Sequence, residues 1–186
     1  MHDSLFSTIC LGLALAACCG FRVFIPLLAV CIASLTHFIH LAAGFSWIGS
    51  WTALICFSVA AAGEIAAYYI PFVDNLLDTI ATPLAIVAGA LISTSVIPAS
   101  DPMMRWGLGL IGGGGSAAII QAGTGVLRLF SSKATLGAGN HVVSSGENIT
   151  AIGGSIVSLL LPVIAAVILL LLILYLVPRI IRKIYS

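Results

Sequence analysis

The sequence predicts an all-α protein: a polytopic transmembrane helix bundle of about five or six segments, with short, broken or re-entrant helices among them. Three observations carry that prediction. Of the 186 residues, 61% are apolar and only 7% are charged, against about 25% charged in soluble proteins. The mean hydropathy is +1.23. Apolar runs also follow one another almost without interruption, at 5–19, 23–35, 51–70, 76–97, 106–130 and 149–177. At about 20 residues per crossing they leave room for one integral membrane domain over residues 1–186 and none for a soluble one.

The first two runs are short, about 22 and 20 Å as helices against a hydrocarbon core of about 30 Å. A broken or re-entrant pair meeting at Gly20, Phe21 and Arg22 is therefore expected. Leu15-Ala16-Ala17-Cys18 imitates a lipoprotein cleavage box, but only His2 and Asp3 charge the segment before it and another apolar stretch follows, so it reads as a retained helix. The third run holds Glu64 about 10 Å before Pro71. On the fourth, Asp74, Asp78, Thr82, Gly89 and Ser93 fall within one arc of about 100°, which predicts a polar lane. On the fifth, Gln121, Thr124 and Arg128 share a face opposite Ile119, Val126 and Phe130. The last run would be about 43 Å long as one helix, and Gly153, Gly154 and Pro162 are its expected points of bending or breakage.

Arg179, Arg182 and Lys183 follow the last run, and Arg105 precedes the fifth on what should be the same side. The excess of Lys and Arg makes that side cytoplasmic. Counting back, both termini and 36–50 are cytoplasmic, and 20–22, 71–75 and 131–148 are not. The net charge of +1 suggests no nucleic-acid partner. The five cysteines lie in apolar runs, where a thiol behaves as a small hydrophobe, and are expected to be free.

Several motifs carry less than they promise. Gly107, Gly109 and Gly112 fit a dinucleotide-binding string, but no strand precedes them and no acid follows at the required distance. Gly109, Gly113 and Ala117 are better read as small residues that let two helices approach closely, within the chain or across a homodimer. His37 and His40 lack a third metal ligand nearby, and Asn148-Ile149-Thr150 is a glycosylation sequon with nothing to place it in a suitable compartment. No catalytic arrangement is recognisable, so neither an enzyme, a metal nor a cofactor is expected.

The ionisable residues in apolar runs are the functional clue, since each costs about 2.5–3.5 kcal/mol at mid-membrane. Arg22, Glu64, Asp74, Asp78, Arg128 and Glu147 are expected to gather around one polar cavity opening to the non-cytoplasmic side, with Gln121 and Thr124 on its wall. Each has a structural alternative. Asp74 suits a helix N-terminus, Arg128 can snorkel, and Glu64 can pair with Arg22 or Arg128.

The string from Gly20 to Leu27, the block of Glu64, Pro71, Asp74 and Asp78, and the series Arg128, Thr135, Gly139, Asn140, Ser144 and Glu147 together resemble a family of small bacterial integral membrane proteins classed as a domain of unknown function. The resemblance covers nearly the whole chain, adds Asn140 to the candidate residues, and implies the bacterial inner membrane. It departs at Tyr68 and Tyr69, where the family pattern has an acidic and a basic residue, at Thr124 (basic), at His141 (proline) and at Asn148 (Asp).

The expected function is that of a small-solute or ion transporter or channel, with lipid, a small solute, an ion or a proton as its partners. Segments 16–28 and 117–130 echo each other weakly, as internal repeats in transporters do. The alternative is a non-transporting membrane assembly or lipid-interacting protein, in which small-residue faces are the working surface. Polar stripes around a cavity favour the first, and stripes paired off in a dry core favour the second.

Overall fold

Helix boundaries follow local chemistry. In the computed structural model, which describes residues 5–98, 101–135 and 139–184, α1 (Leu5–Cys18) and α2 (Phe24–Leu35) are joined by a tight turn. α2 stops where His37 takes a left-handed conformation (φ 56°). Phe38 N–H reaches back to Ala33 O (2.8 Å) and His37 N–H to Ser34 O (3.0 Å), the pairing that closes helices at such a residue. Ser50 caps α3 (Trp51–Ala67), its Oγ accepting from Ala53 N–H at 3.1 Å. Pro71 opens α4 (Pro71–Val96). Asp101 and Pro102 open α5 (Pro102–Leu108), whose missing proline N–H would have been unpaired in the first turn anyway.

α5 passes through a π-helical turn, Gly109–Gly114, into α6 (Gly115–Thr135). α7 (Asn140–Leu160) and α8 (Pro162–Ile184) complete the chain. No strand occurs among the described residues. The stretch Pro102–Ser131 is long and apolar enough to cross a membrane; Leu5–Cys18, Phe24–Leu35, Trp51–Ala67, Ile80–Val96 and Pro162–Pro178 are shorter apolar helices.

α1 is the axis of the bundle. From Ala14 to Cys19 every side chain is at most 1% exposed, and α4, α6, α7 and α8 all pack on it. A stretch enclosed on all sides is apolar all round, as residues 14–19 are. α2, only 12 residues long, is continued by irregular backbone: Ala42 N–H donates to Ser95 O (2.7 Å), and Ile39, Phe45 and Ile48 are buried.

The stripe Gly109, Gly113 and Ala117 meets α4. A Cβ at Gly109 would lie 3.1 Å from Ala90 O, and one at Gly113 would lie 2.6 Å from Ser93 Cβ. A Cβ at Gly89, across the contact, would lie 2.8 Å from Ala117 Cβ. The stripe is therefore occupied within the protomer.

The last apolar run breaks at one of its expected points: Gly153 and Gly154 stay inside α7, and the chain breaks at Leu161 (φ −136°, ψ 63°) before Pro162. α8 then folds back beside α7, because Gly153, Gly154 and Val157 share a groove with Ala165, Ile168 and Leu172, and Leu176 packs at Gly123 of α6. The start of α1 and the end of α8 thus lie at opposite ends of the bundle, not on a common side, because the hairpin adds a reversal that a single last rod lacks. The polar lane on α4 is also interrupted. Thr82 is exposed while Gly89 and Ser93 are buried, and the side chains of Asp74 and Asp78 lie outside the described residues.

Candidate functional site

At one end of the bundle four elements converge. The α1–α2 turn supplies Arg22, the end of α3 supplies Glu64 and Tyr68, α6 supplies Arg128, and the first turns of α7 supply Ser144, Glu147 and Asn148. Arg22, Arg128 and Glu147 are 1%, 4% and 5% exposed, so whatever charge they carry is compensated by protein rather than by water.

Glu147 joins the two arginines. Its Oε2 lies 3.0 Å from Arg22 Nη1 and also accepts from Arg128 Nη2, while its Oε1 accepts from Arg128 Nε at 3.1 Å. That fork-on-fork pairing with Arg128 is the geometry a guanidinium favours. Arg22 uses its other donors on α7, with Nε to Asn148 Oδ1 at 2.5 Å and Nη2 to Ser144 O at 3.2 Å. Ser144 Oγ accepts from Arg128 Nη2 at 3.2 Å. Residues 144, 147 and 148 recur at i, i+3 and i+4, which places all three on one face of α7.

Both guanidiniums lie over the Tyr68 ring, Arg22 Cζ at 3.8 Å and Arg128 Cζ at 4.4 Å from its centroid, within cation–π range. Tyr68 also lines a cavity of about 140 Å³ between α2, α3 and α4, together with Val23, Glu64 and Leu84. The tyrosine thus borders the cavity and the arginine cluster at once.

Glu64 does something the sequence did not suggest. Its Oε1 accepts from Val23 N–H (2.8 Å) and its Oε2 from Phe24 N–H (3.0 Å), so it caps the N-terminus of α2 from another helix. A carboxylate there satisfies donors the helix leaves unpaired and suits the positive end of its dipole. With both carboxylates ionised, the two arginines, Glu147 and Glu64 sum to zero charge.

Of the remaining candidates, Gln121 and Thr124 are buried on the same face of α6 as Arg128, and Thr124 Oγ1 donates to Gln121 O at 3.0 Å within that helix. Asn140 is the half-buried first residue of α7. Among the described residues no group of His, Cys, Asp and Glu is placed to hold a metal. The five cysteines are free thiols, Cys56 alone exposed. On the rim, Tyr69 stacks on His141 (5.8 Å, 9°) and shares a 2.9 Å hydrogen bond with Ser145, a second tie between the end of α3 and α7.

Residues 9–182 match the model of a family described as Domain of unknown function (DUF4126). The chain belongs to the DUF4126 family. No curated protein and no solved structure matches it. Two positions where this chain departs from the pattern that the resemblance implied, Tyr68 and Asn148, both touch Arg22 in this DUF4126 protein. Sequence reasoning named the charged members of the cluster but gave no role to Tyr68 or to the amide of Asn148. A lone tyrosine at the end of an apolar run and an asparagine inside a sequon carry no pattern that points to an arginine.

Proposed function

We propose that this DUF4126 protein is a multi-pass inner-membrane transporter or channel for a small solute or ion, with the Arg22–Glu147–Arg128 cluster as its binding group and Tyr68 as the partition before it. One observation carries the reading: the cavity lined by Glu64 is also lined by Tyr68, whose ring lies against both guanidiniums. A cavity of about 140 Å³ exceeds what a water molecule needs. An ion pair held only for strength is a poor investment against apolar packing, which favours a working role for charges buried this completely.

Membrane placement is supported by the apolar helices already described and by large side chains exposed along them, such as Val59, Val87, Leu127 and Leu171. The Arg22–Glu147–Arg128 charges are paired off among buried groups, as the non-transporting alternative expects, and it is the cavity beside Glu64 and Tyr68 that favours transport over it. The small-residue stripe, engaged with α4, is not free to serve that alternative.

The hairpin at Leu161 reverses the expected orientation of the site. α8 carries Arg179, Arg182 and Lys183 toward the same end as the cluster, while Arg105 belongs to the opposite end, where Phe45 meets Trp106 (5.9 Å). By the positive-inside rule the end of the bundle that holds the cluster faces the cytoplasm and α1 begins on the other side.

The test is water access. In membranes from a Cys56→Ser background, Ala81→Cys and Leu84→Cys should react with a membrane-impermeant thiosulfonate, more slowly when Tyr68 and Glu64 are intact than in a Tyr68→Ala variant. If neither cysteine reacts in folded protein, the cavity is dry and the transport reading falls.

A further inference from the structure

Between α5 and α6 the helix widens into a π-turn over Gly109–Gly114, a winding that is rare inside α-helices and recurs at functional sites. Among the described residues, the buried side-chain polar atoms with no hydrogen-bond partner are Thr94 Oγ1 and Arg105 Nε. Both flank this turn. Thr94 is 0% exposed on α4, and a Cβ at Gly109 would collide with its hydroxyl and stand 3.1 Å from Ala90 O. Arg105 lies four residues before Gly109 and shares that face of α5, its Cζ 5.7 Å from the centroid of the Phe45 ring. A buried donor left without an acceptor is costly. Three unfavourable features therefore meet where Gly109 docks on α4.

Elsewhere in the chain a buried or half-turned hydroxyl solves this locally: on α7, Thr150 and Ser155 donate to the carbonyl four residues back, Gly146 O at 2.8 Å and Ala151 O at 2.7 Å. The matching acceptor for Thr94 is Ala90 O, which it does not reach with Gly109 packed against both. Winding the turn as α-helix would rotate α5 by about 100° and advance it by about 1.5 Å, the share of one residue. Either neighbour of Gly109 is a leucine, Leu108 or Leu110, and neither fits where a single Cβ already collides. α5 must then swing off α4, which leaves Thr94 room to reach Ala90 O and takes Arg105 from the Phe45 ring.

We infer that the π-turn is a two-position hinge. Wound as π it docks α5 on α4, wound as α it releases α5, and the unpaired Thr94 hydroxyl keeps the docked position from dominating. Two arrangements close in free energy are what such a switch needs. The hinge stands at the end of the bundle away from the arginine cluster, and it does not depend on whether the cavity there conducts.

Two spin labels test it. In purified Cys56→Ser protein labelled at Met103→Cys on α5 and Val87→Cys on α4, positions 83% and 65% exposed, electron–electron double resonance should resolve two distances. Thr94→Val removes the unpaired hydroxyl and keeps the branched shape, and should raise the ratio of docked to released protein about tenfold. Thr94→Ser keeps the hydroxyl and should not raise it. Deleting Gly112 leaves an unbroken α-helix with Gly109 still on α4, and should show the docked distance alone. A single distance in the Cys56→Ser protein, or a ratio that Thr94→Val leaves unchanged or lowers, overturns the hinge. Should Thr94→Val fail to fold, persistence of both distances in the deletion variant overturns it instead.

Discussion

Glu147 neutralises two arginines at once, and that makes it the residue on which the cluster depends. Glu147→Gln leaves two buried guanidiniums facing an amide, and breaking such a pair costs about 3–5 kcal/mol. Ser144→Ala removes one hydrogen bond to Arg128 and should cost about 1 kcal/mol. Chemical unfolding of the purified protein in detergent should rank the two variants in that order, and equal effects would show that the carboxylate is not the centre of the cluster. Glu64 poses a different question. Its oxygens go to the Val23 and Phe24 amides, so Glu64→Gln turns an amide NH₂ toward one N–H and should cost about 1–3 kcal/mol. In the same unfolding assay, Glu64→Gln with no loss of stability would mean that it does not hold the start of α2. The charged residues were legible because a charge in an apolar run demands compensation. Their partners were not, since Arg22 and Asn148 are 126 residues apart and only folding brings them together.

At the scale of the element, the contact between the π-helical turn and α4 depends on absent side chains. Gly113→Leu would drive a side chain into Ser93 and Gly89, and overpacking of that kind costs about 1–3 kcal/mol or more. Gly115→Ala, where a Cβ meets nothing within 4 Å, should be neutral or stabilising by about 0.5–1 kcal/mol. Thermal unfolding and size-exclusion chromatography of both variants check this: only Gly113→Leu should lose stability, without a change in oligomer size. A change in oligomer size alone would mean that a second copy, rather than α4, covers the stripe. The close spacing of Gly109, Gly113 and Ala117 could be read directly from the chain, but which helix met them could not. A small-residue face is equally suited to a neighbour in the same chain and to one in a second copy. The lane on α4 was drawn from angular position alone, and Thr82 left it because burial depends on neighbours that a helical wheel does not contain.

For the whole molecule, the hairpin at Leu161 sets which ends share a side. In a Cys56→Ser background, cysteines replacing His141 and His40, both exposed, should label from opposite sides of the membrane, and His141→Cys from the side that carries a tag fused after Ser186. Labelling of His141→Cys from the side opposite the tag would return the last run to a single rod. The sequence by itself determined the composition-driven properties: an all-α chain, its apolar runs, the break before Pro162, and the few charges that need partners. These are local, because propensity, capping and hydropathy act within a few residues. Only the tertiary structure decided that α1 is the axis, that Glu64 caps α2, that Tyr68 lies against both arginines, and that α8 turns back to place the chain's two ends apart. Each of those depends on contacts between residues far apart in sequence, and neither periodicity nor composition encodes which distant surfaces meet.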